Sequence, residues 1–157
     1  MKKRLSLVLV AAIIFVLAAP GLRAQSTPYD KYLTSADIEK AVGMTGVKSV
    51  PREPRKGAGG HLNFANAKGD LILLASFLAA TDFNSYKGTP GMVKSQVQGL
   101  GDEAFIGPAN DLPYMLVVRK ADKCLGLSTF ADPQKPGTNR LTMDQLKAIA
   151  AVIIGRM

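Results

Sequence analysis

The chain has 157 residues, of which 47% are apolar, 20% charged and 6% aromatic, a balance that excludes a disordered, collagen-like or coiled-coil protein. Its formal net charge is +8, but Lys2, Lys3, Arg4 and Arg23 lie in a segment expected to be removed, and without those four the excess falls to +4. That surplus suits solubility or a weak preference for anions better than a phosphate-neutralising groove, so nucleic acid is not an expected partner.

Lys2-Lys3-Arg4 precedes the apolar run Leu5 to Ala19, whose only polar residue is Ser6; Pro20-Gly21 and Leu22-Arg23-Ala24 follow. This is the three-part plan of a secretory signal peptide. A membrane span needs roughly 20 apolar residues, and here the Pro-Gly pair ends the run early. Cleavage after Ala24 leaves residues 25–32 as a flexible lead and 33–157 as one domain, placed in the periplasm or outside the cell. No cysteine follows the cut, which argues against an ordinary lipoprotein. Cys124 is the only cysteine, so no intrachain disulfide can form and the domain relies on its core.

Leu33-Thr34-Ser35-Ala36-Asp37-Ile38 reads as a helix start, with Thr34 as N-cap, Asp37 answering it and Leu33 stapled against Ile38; Gly43 supplies the stop. Val47 to Gly60 carries Pro51, Pro54 and Gly57-Ala58-Gly59-Gly60, and is expected to be a mobile loop. His61 to Ala67 and Asp70 to Ala79 form a predicted hairpin around Lys68-Gly69. A short helix is expected over Asp82 to Tyr86. Lys94 to Gln98 and Ala104 to Ile106 make a third strand pair across Gly99-Leu100-Gly101-Asp102. Tyr114 to Arg119 and Lys123 to Phe130 form the second hairpin, turning at Lys120-Ala121-Asp122. Leu141-Thr142-Met143-Asp144-Gln145-Leu146 repeats the capped helix start, and the helix runs to about Ile154 with Leu146, Ile149, Ala150 and Ile153 on one stripe. The fold class is α+β: an antiparallel sheet of two or three hairpins with helices packed on one face. The turn residues Lys68-Gly69-Asp70 and Lys120-Ala121-Asp122, followed at equal distances by Leu73 and Leu125 and by Ser76 and Ser128, raise a two-fold internal repeat.

Chemistry is constrained by scarcity. His61 is the only histidine and Cys124 the only cysteine, so a His/Cys zinc site is not expected, and neither is any other metal or cofactor. No Gly-x-Ser-x-Gly elbow surrounds a serine, and Gly99-Leu100-Gly101-Asp102-Glu103 lacks the third glycine of a dinucleotide loop. No catalytic residue is assigned. Cys124 reads as a packing residue of a strand. Lys48, Arg52, Arg55 and Lys56 crowd one glycine-rich loop with only Glu53 opposing them, and are the candidate anion-binding residues.

The order of Gly99-Leu100-Gly101-Asp102-Glu103-Ala104-Phe105, then Leu116-Val117-Val118-Arg119-Lys120 with Cys124-Leu125-Gly126-Leu127-Ser128, then Leu141-Thr142 and a closing helix, resembles small exported bacterial domains of unknown function. It is more distantly similar to the extracellular sensor domains and lipoproteins of actinobacteria that carry a Gly-Leu-Gly-Asp-x-Ala turn. The resemblance implies binding of something outside the membrane and transfers no catalytic residue. The sensor-type members usually have paired cysteines, where this chain has one.

These features predict an exported, non-catalytic domain that binds an envelope ligand or a protein partner, an anionic small molecule and an envelope polymer being the other partner classes in view. The alternatives are a hydrolase-type enzyme using His61, or a structural subunit that pairs through a sheet edge. Mass spectrometry of the protein recovered from its host should find an N-terminus at or near Gln25; intact Met1 in the membrane fraction would contradict export with processing.

Overall fold

The computed structural model describes residues 27–51, 60–108 and 110–157; the expected leader and cleavage site lie outside them. Two antiparallel meanders share one sheet. The first is β1 (Lys48–Val50), β2 (Gly60–Ala65) and β3 (Leu71–Ala79), and the second is β4 (Ser95–Val97), β5 (Glu103–Gly107), β6 (Met115–Lys120) and β7 (Lys123–Ser128). They join edge to edge through β3 and β7, giving a seven-stranded sheet of order β1-β2-β3-β7-β6-β5-β4. Three helices complete the α+β fold: α1 (Ser35–Val42), α2 (Ala80–Gly88) and α3 (Met143–Ile154).

Both capped helix starts form as the sequence predicts. Thr34 accepts from the Asp37 amide while Asp37 accepts from the Thr34 amide, and Thr142 and Gln145 do the same for α3. Gly43 closes α1 in the left-handed conformation at φ +68°, which a glycine adopts without steric cost. The α3 stripe of Leu146, Ile149, Ala150 and Ile153 is buried on the sheet beside Leu62, Phe64, Leu116, Val118, Leu125 and Leu127. α1 lies against α3, and polar bonds tie them at both ends. Gln145 Nε2 donates to the Val42 carbonyl at 3.1 Å. Arg156 grips Asp37 in bidentate fashion at 2.6 and 2.7 Å.

The helices do not all share a face. α1 and α3 cover one side, as expected, whereas α2 packs Phe83 on Phe105, Val117 and Cys124, the side-chain rows that point the other way. This bears on the repeat. A two-fold exchanging antiparallel neighbours β3 and β7 runs perpendicular to the sheet and keeps each face, so the helices that follow them should lie on one side. They lie on opposite sides, so the likeness is limited to the two hairpins and the capped starts of α1 and α3, and a repeat is not confirmed.

Two other expectations change. The loop expected over Val47 to Gly60 contains strand β1, paired Lys48↔Ala65, Ser49↔Phe64 and Val50↔Asn63. Val47 is buried and its amide donates to Glu39 Oε1 at 2.9 Å, so an apolar anchor and a side-chain acceptor start a strand too short to show a period. The lead is also not loose over its described part: Tyr29 and Tyr32 stack on Phe77 with ring centroids 4.8 and 5.4 Å apart. Tyr29 lies so close over Gly60 that a Cβ there would sit 1.8 Å from its ring. Among the described residues no helix is long and apolar enough to cross a membrane.

The Arg156 guanidinium, with Thr34, holds the Asp37 carboxyl well below the usual aspartate range. A carboxyl depressed in the folded state stabilises fully above its unfolded pKa, and that contribution is lost as pH falls toward the folded value. Asp37→Ala should therefore cost on the order of 1 kcal/mol at neutral pH, the size of a lost capping interaction. In thermal melts its deficit against wild type should shrink below about pH 4; a pH-independent deficit would contradict this assignment.

Candidate functional site

Strand alternation decides what the second face of the sheet carries. In the register, His61 stands opposite Ser76 and Ser76 opposite Gly126; two residues along, Asn63 stands opposite Leu74 and Leu74 opposite Ser128. These six positions point to the side where α2 packs. α2 has nine residues, roughly 13 Å of helix, and a seven-stranded sheet is roughly 29 Å across. The helix therefore covers Leu78, Cys124, Val117 and Phe105 and leaves the rows on β2, early β3 and late β7 half-exposed. His61 Nδ1 lies 2.9 Å from Ser76 Oγ, and a Cβ added at Gly126 would meet the Ser76 Cβ at an ordinary 3.7 Å.

The lower row opens into a cleft of about 380 Å³ lined by Leu74, Leu112, Tyr114, Ser128, Phe130 and Asn139, with Thr129 and Ala131 completing it. Its walls are fixed by long-range bonds. Buried Thr129 donates through Oγ1 to the Ile72 carbonyl at 3.0 Å and accepts from the Leu141 amide at 3.1 Å. Its own amide donates to the Tyr114 carbonyl at 2.8 Å. Asn139 Nδ2 donates to the Pro113 carbonyl at 2.7 Å, which sets the amide's orientation because a carbonyl can only accept. Tyr114 is 44% exposed at the rim, and with Leu71 it is one of two large apolar side chains standing in solvent among the described residues.

Only some of the residues singled out from the sequence fall among the described ones. Lys48 is exposed on the edge strand β1, while Arg52, Arg55 and Lys56 lie outside the described residues. His61 forms a pair with Ser76, yet Ser76 occupies a central strand, its neighbours His61 and Gly126 held in register on both sides. Ladder pairing commits such backbone amides, which are one of the usual sources of oxyanion donors beside an acyl-transfer nucleophile. No group of three or more His, Cys, Asp or Glu among the described residues is placed to hold a metal ion. The Gly99-Leu100-Gly101-Asp102 turn works as a latch: both glycines have positive φ, Leu100 is buried, and Asp102 Oδ2 accepts from the Ala121 amide at 2.6 Å. That bond holds the β6–β7 turn, where Ala121 itself sits at φ +50°. The adjacent Glu103 turns elsewhere, paired with Lys87 and Arg119, and the Lys87 ammonium holds its carboxyl below the usual range.

The cleft escaped sequence reasoning because its walls come from segments far apart in the chain. The one available signal was Ser76 and Ser128, hydroxyls at matched positions of two predicted strands. No known protein family, curated protein or solved structure matches the chain.

Cys124 is fully buried; burial, with the Asp82 charge beside it, pushes its thiol pKa up to about 12. The thiolate is the reactive form, so Cys124 should resist a thiol reagent in the native protein and react only on unfolding. Cys124→Ser should cost about 1–3 kcal/mol through a hydroxyl lacking a partner, more than Cys124→Ala; rapid native labelling would contradict a packing role.

Proposed function

We propose that this protein is an exported, non-catalytic binding domain and that its ligand occupies the cleft beside β3 and β7. The observation that carries this reading is an apolar cleft, rigidly walled through Thr129 and Asn139, whose rim holds the exposed Tyr114 ring. Its volume of about 380 Å³ lies in the range of small-molecule sites, and apolar walls with a few polar groups are their usual composition. Export is supported by the basic start, the apolar run and Ala24. The resemblance to exported bacterial domains points the same way.

The two other readings have less behind them. A hydrolase using His61 would have Ser76 as its nucleophile on a central strand, where ladder pairing leaves no spare backbone donor for a developing oxyanion. A subunit pairing through a sheet edge would use β1 or β4, each three residues long. Short, polar edge strands are a common device against such pairing.

A thermal-shift screen of small molecules on the purified protein tests the reading, because a ligand that binds the native state raises its melting temperature. Tyr114→Ala, nearly half in solvent, should stay folded at a cost on the order of 1–2 kcal/mol, and should lose the shifts of authentic ligands. His61→Ala should keep them. Hits whose shifts survive Tyr114→Ala would place the site elsewhere.

A further inference from the structure

The chemistry of the cleft and the row beside it narrows the ligand class. None of the cleft residues is charged, and neither are Asn63 and Ser76 in the adjoining positions. The ionic groups that flank its lining in the chain are Asp111 beside Leu112, Asp132 beside Ala131 and Arg140 beside Asn139, the last engaged with Asp70. An anionic group entering this cleft would shed water without meeting a cation in its lining, which is costly. The surface also mixes apolar and polar groups. Leu74, Leu112, Phe130, Ala131 and the Tyr114 ring supply the apolar ones. Around Leu74, Asn63 on β2 and Ser128 on β7 stand about 5 Å to either side and Ser76 about 7 Å along β3, all three half-buried. Amides and hydroxyls both donate and accept, which matches a group carrying several hydroxyls and no charge.

We propose that the ligand is an uncharged amphiphile, with a short alkyl chain or single ring in the cleft and a hydroxylated head laid across Asn63, Ser76 and Ser128. This rests on the cleft being the binding site. The n-alkyl β-D-glucosides, used below their micelle concentrations, are suitable probes, with methyl β-D-glucoside as the head alone and n-octyl sulfate as the charged counterpart. By titration calorimetry, affinity should rise about fourfold per methylene from hexyl to octyl, the worth of burying one such group. Methyl glucoside should show no binding, and octyl sulfate should bind at least tenfold more weakly than octyl glucoside. That preference is discriminating because the chain is net positive, +8 in full and +4 without the four basic residues of the expected leader, and non-specific attraction would favour the sulfate.

Leu74→Glu should reduce octyl glucoside affinity at least tenfold. Asn63→Ala, which leaves the apolar end intact, should reduce it severalfold while flattening the preference over octyl sulfate. Tyr114→Ala, at an exposed position, supplies a cleft variant whose fold is not at risk if Leu74→Glu fails to fold. Equal or tighter binding of octyl sulfate at a site lost in Tyr114→Ala would overturn the uncharged class and leave the cleft standing. Absence of saturable binding by every alkyl probe would overturn both, as would glucoside affinity unchanged in Tyr114→Ala and Asn63→Ala.

Discussion

The pairing of β3 with β7 is the contact on which the rest of the molecule depends. It runs antiparallel from Leu74↔Ser128 to Ala79↔Lys123 and converts two meanders, each with an open edge, into one sheet whose central strands are flanked on both sides. It is also a long-range contact, so its loop-closure cost is met only when both hairpins are formed. The bond from Thr129 Oγ1 to the Ile72 carbonyl continues the junction beyond the ladder. The same hydroxyl accepts from Leu141, so the register of the sheet sets where α3 begins.

Unequal cover of the two faces follows from helix length and connection. α3 spans the junction with a stripe of four buried side chains and is braced by α1, where Arg156 and Gln145 supply the polar ties. α2 follows β3 directly and is halted after Gly88 by Thr89-Pro90-Gly91. Its Phe83 meets Phe105 in a tilted arrangement with centroids 5.4 Å apart, and Cys124 and Val117 complete a small second core. Rows of the sheet beyond its reach must be tolerable in water. They carry His61, Asn63, Ser76 and Ser128 in place of the leucines and valines of the opposite face, and this polarity is a direct consequence of a helix too short to cover them.

Much of the fold was legible in the sequence because its signals are local. The reciprocal caps Thr34 with Asp37 and Thr142 with Gln145 need only three residues of separation, and hairpin turns such as Lys68-Gly69 punctuate strands of alternating character. What escaped was set by tertiary context. β1 has three residues, and its pairing depends on Val47 finding the core. The aromatic lead is ordered by Phe77, more than forty residues away. The side taken by α2 could not be read, since its apolar residues Phe83 and Tyr86 fit either face. For the site the asymmetry is sharper. A cluster of cations such as Lys48, Arg52, Arg55 and Lys56 announces itself in any sequence. A neutral cleft assembled from Leu74, Tyr114, Ser128 and Asn139 has no local signature.

The same asymmetry separates what the chain's recognisable motif records from what its site requires. Gly99-Leu100-Gly101-Asp102 is distinctive because each member answers a backbone demand: two left-handed residues, one buried leucine, and a carboxylate that latches the β6–β7 turn. At Gly101 a Cβ would approach the Arg119 carbonyl to 2.5 Å, so no other residue fits without moving β6. Such constraints hold for any domain built on this turn, whatever it binds. Residues around the cleft meet a weaker demand, to be uncharged and of suitable size, which many side chains satisfy. The turn therefore speaks for the scaffold, whereas positions such as Leu112, Tyr114 and Ser128 are ones at which the scaffold leaves the choice of side chain open.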